Sequence, residues 1–153
     1  MSLKFQLFAI DDNVTTMIDI CNAADRKDLP DVREAGSEED GLRLVHEFRK
    51  EKLPPVFIVD LKLKDEQSGF RILEAIRRKP VLRYAPVIVL TSSNDQETIN
   101  KSYELGASSY IIKEDDPDDF ARVLDNLISF LTDAAYYDDD IDDAAGEQSI
   151  ELK

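Results

Sequence analysis

The chain has 153 residues, 42% hydrophobic and 34% charged, with 33 Asp and Glu against 19 Lys and Arg. That length suits one α/β domain able to bury a core without staples. Its single cysteine excludes a disulfide framework and every multi-cysteine metal site and fits a reducing compartment. No apolar run approaches the roughly 18 residues of a membrane span, and Met1-Ser2-Leu3-Lys4 lacks the apolar stretch of a secretory signal. The expectation is a cytoplasmic domain with no membrane insertion.

In chain order, Phe5 to Ile10 reads as a first strand. Val14, Met17, Ile18 and Cys21 then fall at i, i+3, i+4 and i+7 of a helix capped by Asn13, with Cys21 in the core. Asp31 to Ala35 is a weaker edge strand. Ser37 and Asp40 open a second helix, which turns Leu44, Val45 and Phe48 inward; His46 sits on its surface. Val56 to Val59 and Val87 to Leu90 are β-branched runs that follow prolines, as expected of central parallel strands covered on both faces. Ser68 precedes a helix with Phe70, Leu73 and Ile76 along one side. A fourth helix spans about Asp95 to Leu105 and stops at Gly106. Ser109 to Ile112 is the last strand. A fifth helix starts at Pro117 and carries Phe120, Val123, Leu124, Leu127 and Leu131.

Five βα units in about 135 residues predict a doubly wound, five-stranded parallel sheet. Residues 1–135 form the domain and 136–153 an acidic C-terminal tail. Residues 114–153 hold 14 acids and 2 bases, whereas residues 1–113 hold 19 acids and 17 bases. So concentrated an anion disfavours nucleic acid and anionic membranes and would attract a basic partner. The run Asp138 to Asp143 reads first as a solubilising tail, with a partner-binding or self-inhibiting role as the sharper alternative.

In open α/β sheets, ligands bind beyond the carboxyl ends of the strands. Those ends carry Asp11-Asp12, Asp60, Thr91 and Lys113. Each type has a task in phosphoryl transfer to a carboxylate. Asp60 can be the nucleophile, and Asp12 with Asp60 can hold a hard cation such as Mg²⁺. A lysine and a hydroxyl can then offset charge on the phosphoryl oxygens.

The segments Phe8-Ala9-Ile10-Asp11-Asp12-Asn13, Phe57-Ile58-Val59-Asp60-Leu61, Val89-Leu90-Thr91-Ser92, Gly106-Ala107 and Tyr110-Ile111-Ile112-Lys113 together resemble the receiver domain of two-component response regulators, above all the stand-alone, chemotaxis-type kind. The resemblance covers about residues 4–133. It implies a flavodoxin-like fold with strand order 2-1-3-4-5 and makes Asp60 the phosphoacceptor. Asp12, Asp11 (through water) and the Lys62 backbone carbonyl would be Mg²⁺ ligands. Thr91 would be the switching hydroxyl, Lys113 the phosphoryl-pairing lysine and Tyr110 the switching aromatic; Lys62 and Ser93 fall where such proteins tune dephosphorylation. The phosphodonor would be a phosphohistidine on a sensor histidine kinase or phosphotransfer protein. The domain would catalyse only its own phosphorylation and autodephosphorylation, and it would signal by protein contact. Ile128 and Phe130, off the main stripe of the fifth helix, mark the face of helix four, strand five and helix five as a candidate homodimer or partner surface.

Three features depart from that pattern. Glu114 replaces the usual cis-proline, and a cis bond before a non-proline residue costs about 2.5–4 kcal/mol, which favours trans. The loop after Asp60 lacks a proline at Lys64 and is one residue longer before Gly69. The acidic tail has no counterpart. A receiver-fold adaptor that binds independently of phosphorylation, through the tail, is the alternative. An aspartyl-phosphate hydrolase would want a second aspartate at Lys62. A flavin site would want a phosphate cradle where Asp11-Asp12-Asn13 repels anions.

Overall fold

In the computed structural model, which describes residues 4–145 with side chains through Asp133, the five βα units follow one another as expected. The strands are β1 (Gln6–Ile10), β2 (Arg33–Ala35), β3 (Pro55–Val59), β4 (Val87–Thr91) and β5 (Ser109–Ile112). The helices are α1 (Val14–Arg26), α2 (Glu38–Glu47), α3 (Ser68–Arg78), α4 (Gln96–Glu104) and α5 (Pro117–Ala145), with a short 3₁₀ turn at Pro80–Leu82. All strand pairings are parallel, in the order β2-β1-β3-β4-β5. The chain therefore reverses direction across the sheet between β1 and β3, where a crevice opens at the carboxyl edge.

Two apolar layers sandwich the sheet. Alternate strand residues Leu7, Ala9, Ile58, Ile88 and Leu90 pack under α1 and α5. Their neighbours Phe8, Ile10, Phe57, Val59, Val87 and Val89 pack under α2 and α3. This period of two, with both faces apolar, is why β1, β3 and β4 read as unbroken hydrophobic runs.

Local chemistry sets the helix ends. Asn13 Oδ1 accepts from the Thr16 amide, Ser37 Oγ from Asp40 and Asp95 Oδ2 from Thr98, so three helices open on a side-chain cap. Gly106 ends the turn after α4 at φ +107°, the left-handed region that glycine tolerates. A Cβ there would stand 2.6 Å from Arg77 Nε. Arg77 reaches in from α3 and donates to the carbonyls of Gly106, Leu82, Arg83 and Ala85. It thereby knits the α3–β4 and α4–β5 connections together, and burial lowers its pKa.

Two expected faces differ. In α1 the core side is Thr16, Met17, Ile20, Ala23 and Ala24, while Val14 and Ile18 are 72% and 53% exposed. Cys21 is half-buried beside the core, and burial with the Glu34 carboxylate pushes its thiol up to about 11, which keeps it protonated. In α5, Ile128 is fully buried, leaving Phe130 as the outward residue of that pair. The α5 helix runs unbroken across the 135/136 boundary to Ala145; residues 146–153 of the expected tail lie outside the described residues.

Candidate functional site

Backbone hydrogen bonds bring four strand ends to one place. Asp11 N donates to Ala35 O, Asp60 N to Ile10 O and Lys113 N to Thr91 O, at 3.0, 2.8 and 2.8 Å. The side chains of Asp11, Asp60, Thr91 and Lys113 thus rise from adjacent strands into the crevice. Asp12 follows in the β1–α1 turn, whose shape is held by Asn13 N donating to Asp11 Oδ1 at 2.8 Å.

Ligand oxygens of Asp11, Asp12 and Asp60 lie within 4.8 Å of one another. Asp11 and Asp60 are 3% and 6% exposed, and Asp12 is open to solvent. Lys113 Nζ sits 2.9 Å from Asp11 Oδ2 and 3.6 Å from Asp60 Oδ2. The nearer contact is an ion pair, and Asp11 Oδ2 has no further hydrogen-bond partner. Burial, and then the charge of Asp60, raise Asp11 to about 6, against the lowering effects of the Asn13 amide and Lys113. Such a cluster holds more negative charge than one lysine balances, which favours either a proton or a cation.

Hard carboxylate oxygens, one of them buried with only the Lys113 ammonium beside it, fit a small divalent cation better than a soft one. Lys62 N approaches Asp60 Oδ1 at 3.5 Å, which brings the loop backbone against the cluster. Thr91 Oγ1 is also buried without a hydrogen-bond partner. A hydroxyl left so is a donor awaiting an acceptor.

Tyr110, half-buried on β5, donates its hydroxyl to Ser93 O at 2.8 Å. It therefore ties the edge strand to the β4–α4 loop that follows Thr91. No peptide bond among the described residues is cis, so Glu114 follows Lys113 through a trans bond, and the ammonium still reaches the carboxylates. The substitution of proline does not displace the lysine.

Ser68, expected to precede α3, is its first residue, and with Asp65 its side chain holds the loop that follows Asp60. Ser68 Oγ accepts from Lys64 N and Asp65 N at 2.9 Å. Asp65 Oδ1 accepts from Gln67 N at 2.8 Å. Gly69 N donates to Leu61 O at 2.8 Å, and a Cβ on Gly69 would meet Leu61 Cα at 2.4 Å. Beside the cluster, a groove of about 470 Å³ runs along α1, lined in part by Asp11, Asp12, Val14, Ile18 and Cys21.

A doubly wound sheet of order 2-1-3-4-5 with this carboxylate cluster at its carboxyl edge defines a flavodoxin-like domain. Residues 7–125 match the response regulator receiver domain model, and the chain belongs to that family. It is 32% identical over 96 residues to the probable methanogenesis regulatory protein FilR2 of Methanothrix harundinacea, covering 63% of this chain and 61% of that one. It is 30% identical over 84 residues to response regulator Rcp1 of Synechocystis, covering 55% and 56%. The chain thus spans about three-fifths of the length of these two relatives. Its fold superposes on the phosphorylated cyanobacterial phytochrome response regulator RcpA with a TM-score of 0.74, at 23% identity, over 84% of this chain and 94% of that one. The Mn²⁺-bound form of Rcp1 gives a TM-score of 0.71 at 20% identity, over 83% and 94%.

Proposed function

We propose that this receiver domain accepts a phosphoryl group on Asp60 and signals through protein contact. The observation that carries the reading is the set at the carboxyl edge: three carboxylates within 4.8 Å, a lysine on two of them and a buried hydroxyl without a partner. A carboxylate oxygen of Asp60 attacks the phosphorus of a phosphohistidine on a sensor histidine kinase or phosphotransfer protein. The P–N bond breaks, its electron pair stays on the imidazole, and an acyl phosphate forms. Lys113 neutralises charge on the phosphoryl oxygens, and Thr91 donates to one of them.

Asp11, Asp12 and Asp60, with the Lys62 backbone, would hold Mg²⁺. When bound, that ion supplies charge compensation for the phosphoryl oxygens. The chain acts on no other substrate and catalyses only its own phosphorylation and dephosphorylation. It works in the cytoplasm; no helix among the described residues is long and apolar enough to cross a membrane. The donor protein docks over the groove beside Asp12, where Val14 and Ile18 offer an apolar wall.

Phosphorylation adds about −1.5 to −2 charge. Drawing Thr91 toward it pulls on the Ser93–Tyr110 hydrogen bond and reshapes the face of α4, β5 and α5. Exposed Tyr103, Ile112 and Phe130 make that face the surface for a target or a second copy. A receiver-fold adaptor that binds independently of phosphorylation, through the tail, is the alternative; the contacts of Lys113 with Asp11 and Asp60 support the phosphoryl-transfer reading over it. Beryllofluoride with Mg²⁺, added to ¹⁵N-labelled protein, is expected to shift the amides of Asp60, Thr91, Lys113 and residues 94–131, with no shift in Asp60→Asn. An unchanged wild-type spectrum contradicts the reading.

A further inference from the structure

The loop after Asp60 is anchored from outside itself. Arg71, one turn into α3, donates Nε and Nη2 to the two carboxylate oxygens of Glu38, at 2.6 and 2.8 Å. The same Nη2 reaches both oxygens of Asp65 at 2.9 and 3.0 Å. Glu38 is the first residue of α2, just after β2, and its side chain is only 14% exposed. One planar guanidinium therefore ties three separate pieces together: the start of α2, the first turns of α3 and the middle of the loop. Asp65 in turn organises the loop, accepting from Gln67 N and from Ser68 Oγ, while Ser68 Oγ holds the amides of Lys64 and Asp65. The stretch Lys62–Gln67 has no regular secondary structure and no proline to stiffen it. Its conformation rests on this network.

We infer that Arg71 is a positioning residue, clamping the loop so that the Lys62 backbone stays against the Asp60 carboxylate and the cation site keeps its wall. The inference rests on the receiver reading of Asp60 and adds a residue that touches neither phosphoryl group nor metal. Arginine is suited to the task because its fork engages two carboxylates in fixed directions, which a lysine ammonium cannot do. Being largely at the surface, the ion pairs add little global stability; their effect is local.

The test uses the whole chain with Arg71→Ala, Arg71→Lys and Asp65→Asn. In metal-free protein, amide exchange at Lys64, Asp65 and Gln67 is expected to rise about 10-fold in Arg71→Ala, with the amides of β3 and β4 unchanged. The Mg²⁺ dissociation constant, from amide shifts on titration, is expected to rise about 10-fold, as for lost outer-shell partners. Arg71→Lys should recover part of both effects, and Asp65→Asn should reproduce them without touching α2. Loop protection and Mg²⁺ affinity unchanged in both Arg71→Ala and Asp65→Asn would overturn the inference. A wild type that binds no Mg²⁺ and takes up no phosphoryl group would instead overturn the receiver reading itself, while the exchange measurement would still report on the clamp.

Discussion

The ammonium of Lys113 lies 2.9 Å from the carboxylate of Asp11, although the two are far apart in the sequence. The contact joins the last strand to the first across the carboxyl edge of the sheet. It leaves Asp11 with a charge balance that one proton or one cation changes.

The first consequence is a pH dependence. Asp11 rises from 3.8 to about 6 on folding, so between those values the folded chain binds more protons than the unfolded one. Stability of the metal-free protein is therefore expected to fall as pH climbs from about 4 through about 6, by roughly 3 kcal/mol from this group. Asp11→Asn removes that dependence. Urea midpoints of mutant and wild type should be close near pH 4 and diverge in the mutant's favour by pH 7. Over the same window, Mg²⁺ binding should weaken as pH falls through about 6, because the proton and the cation compete for one carboxylate.

Removing the lysine acts in the opposite sense. Lys113→Met leaves Asp11 and Asp60 buried together without their counter-charge, and breaking a buried pair costs about 3 kcal/mol or more. The loss should be smaller near pH 5, where Asp11 already carries its proton. Thermal unfolding at the two pH values checks this; equal losses at both would count against the pair.

For Thr91, the two states respond differently. Its hydroxyl is buried without a hydrogen-bond partner in this structure, so Thr91→Val is expected to leave unphosphorylated stability unchanged or to raise it by about 1 kcal/mol. The same change should abolish the beryllofluoride-induced shifts at residues 94–131 while leaving that at Asp60. A destabilised Thr91→Val protein would mean that the hydroxyl has a partner after all.

Gly69 is a packing constraint on the same site. A Cβ there would lie 2.4 Å from Leu61 Cα and 2.6 Å from Asp60 O, both backbone atoms that cannot step aside. Gly69→Ala should cost about 1–3 kcal/mol, as overpacking does, and slow phosphorylation of Asp60 by shifting the end of β3. Denaturant unfolding combined with acetyl phosphate uptake separates the two effects.

The sequence made the sheet and its carboxyl edge readable for a physical reason. β1, β3 and β4 are covered on both faces and must be apolar throughout, and the residues that end them are the polar ones facing the crevice. Asp11, Asp12, Asp60, Thr91 and Lys113 all stand where their strand ends placed them.

Helix faces were less legible. Of the α1 stripe Val14, Met17, Ile18 and Cys21, Met17 is buried and Cys21 packs at the edge of the core, while Val14 and Ile18 lie on the outer side. The core side adds Thr16, Ala23 and Ala24 to Met17 and Ile20, and those small side chains carry little hydrophobic signal. Ile128 falls outside the narrow α5 stripe yet is fully buried, because a broad apolar face admits neighbours at i+1. In the sequence, nothing sets Arg71 and Arg77 apart from the neighbouring Arg78. Only the fold shows that one joins Glu38 to Asp65 and that the other donates to the carbonyls of two connections.

The most direct test of Asp60 as phosphoacceptor is intact-mass spectrometry after incubation with acetyl phosphate, with and without Mg²⁺, beside Asp60→Asn. The expected result is a gain of one phosphoryl mass that requires Mg²⁺ and is absent in the mutant. A wild type that gains nothing, or an Asp60→Asn protein that gains the same mass, would contradict the account.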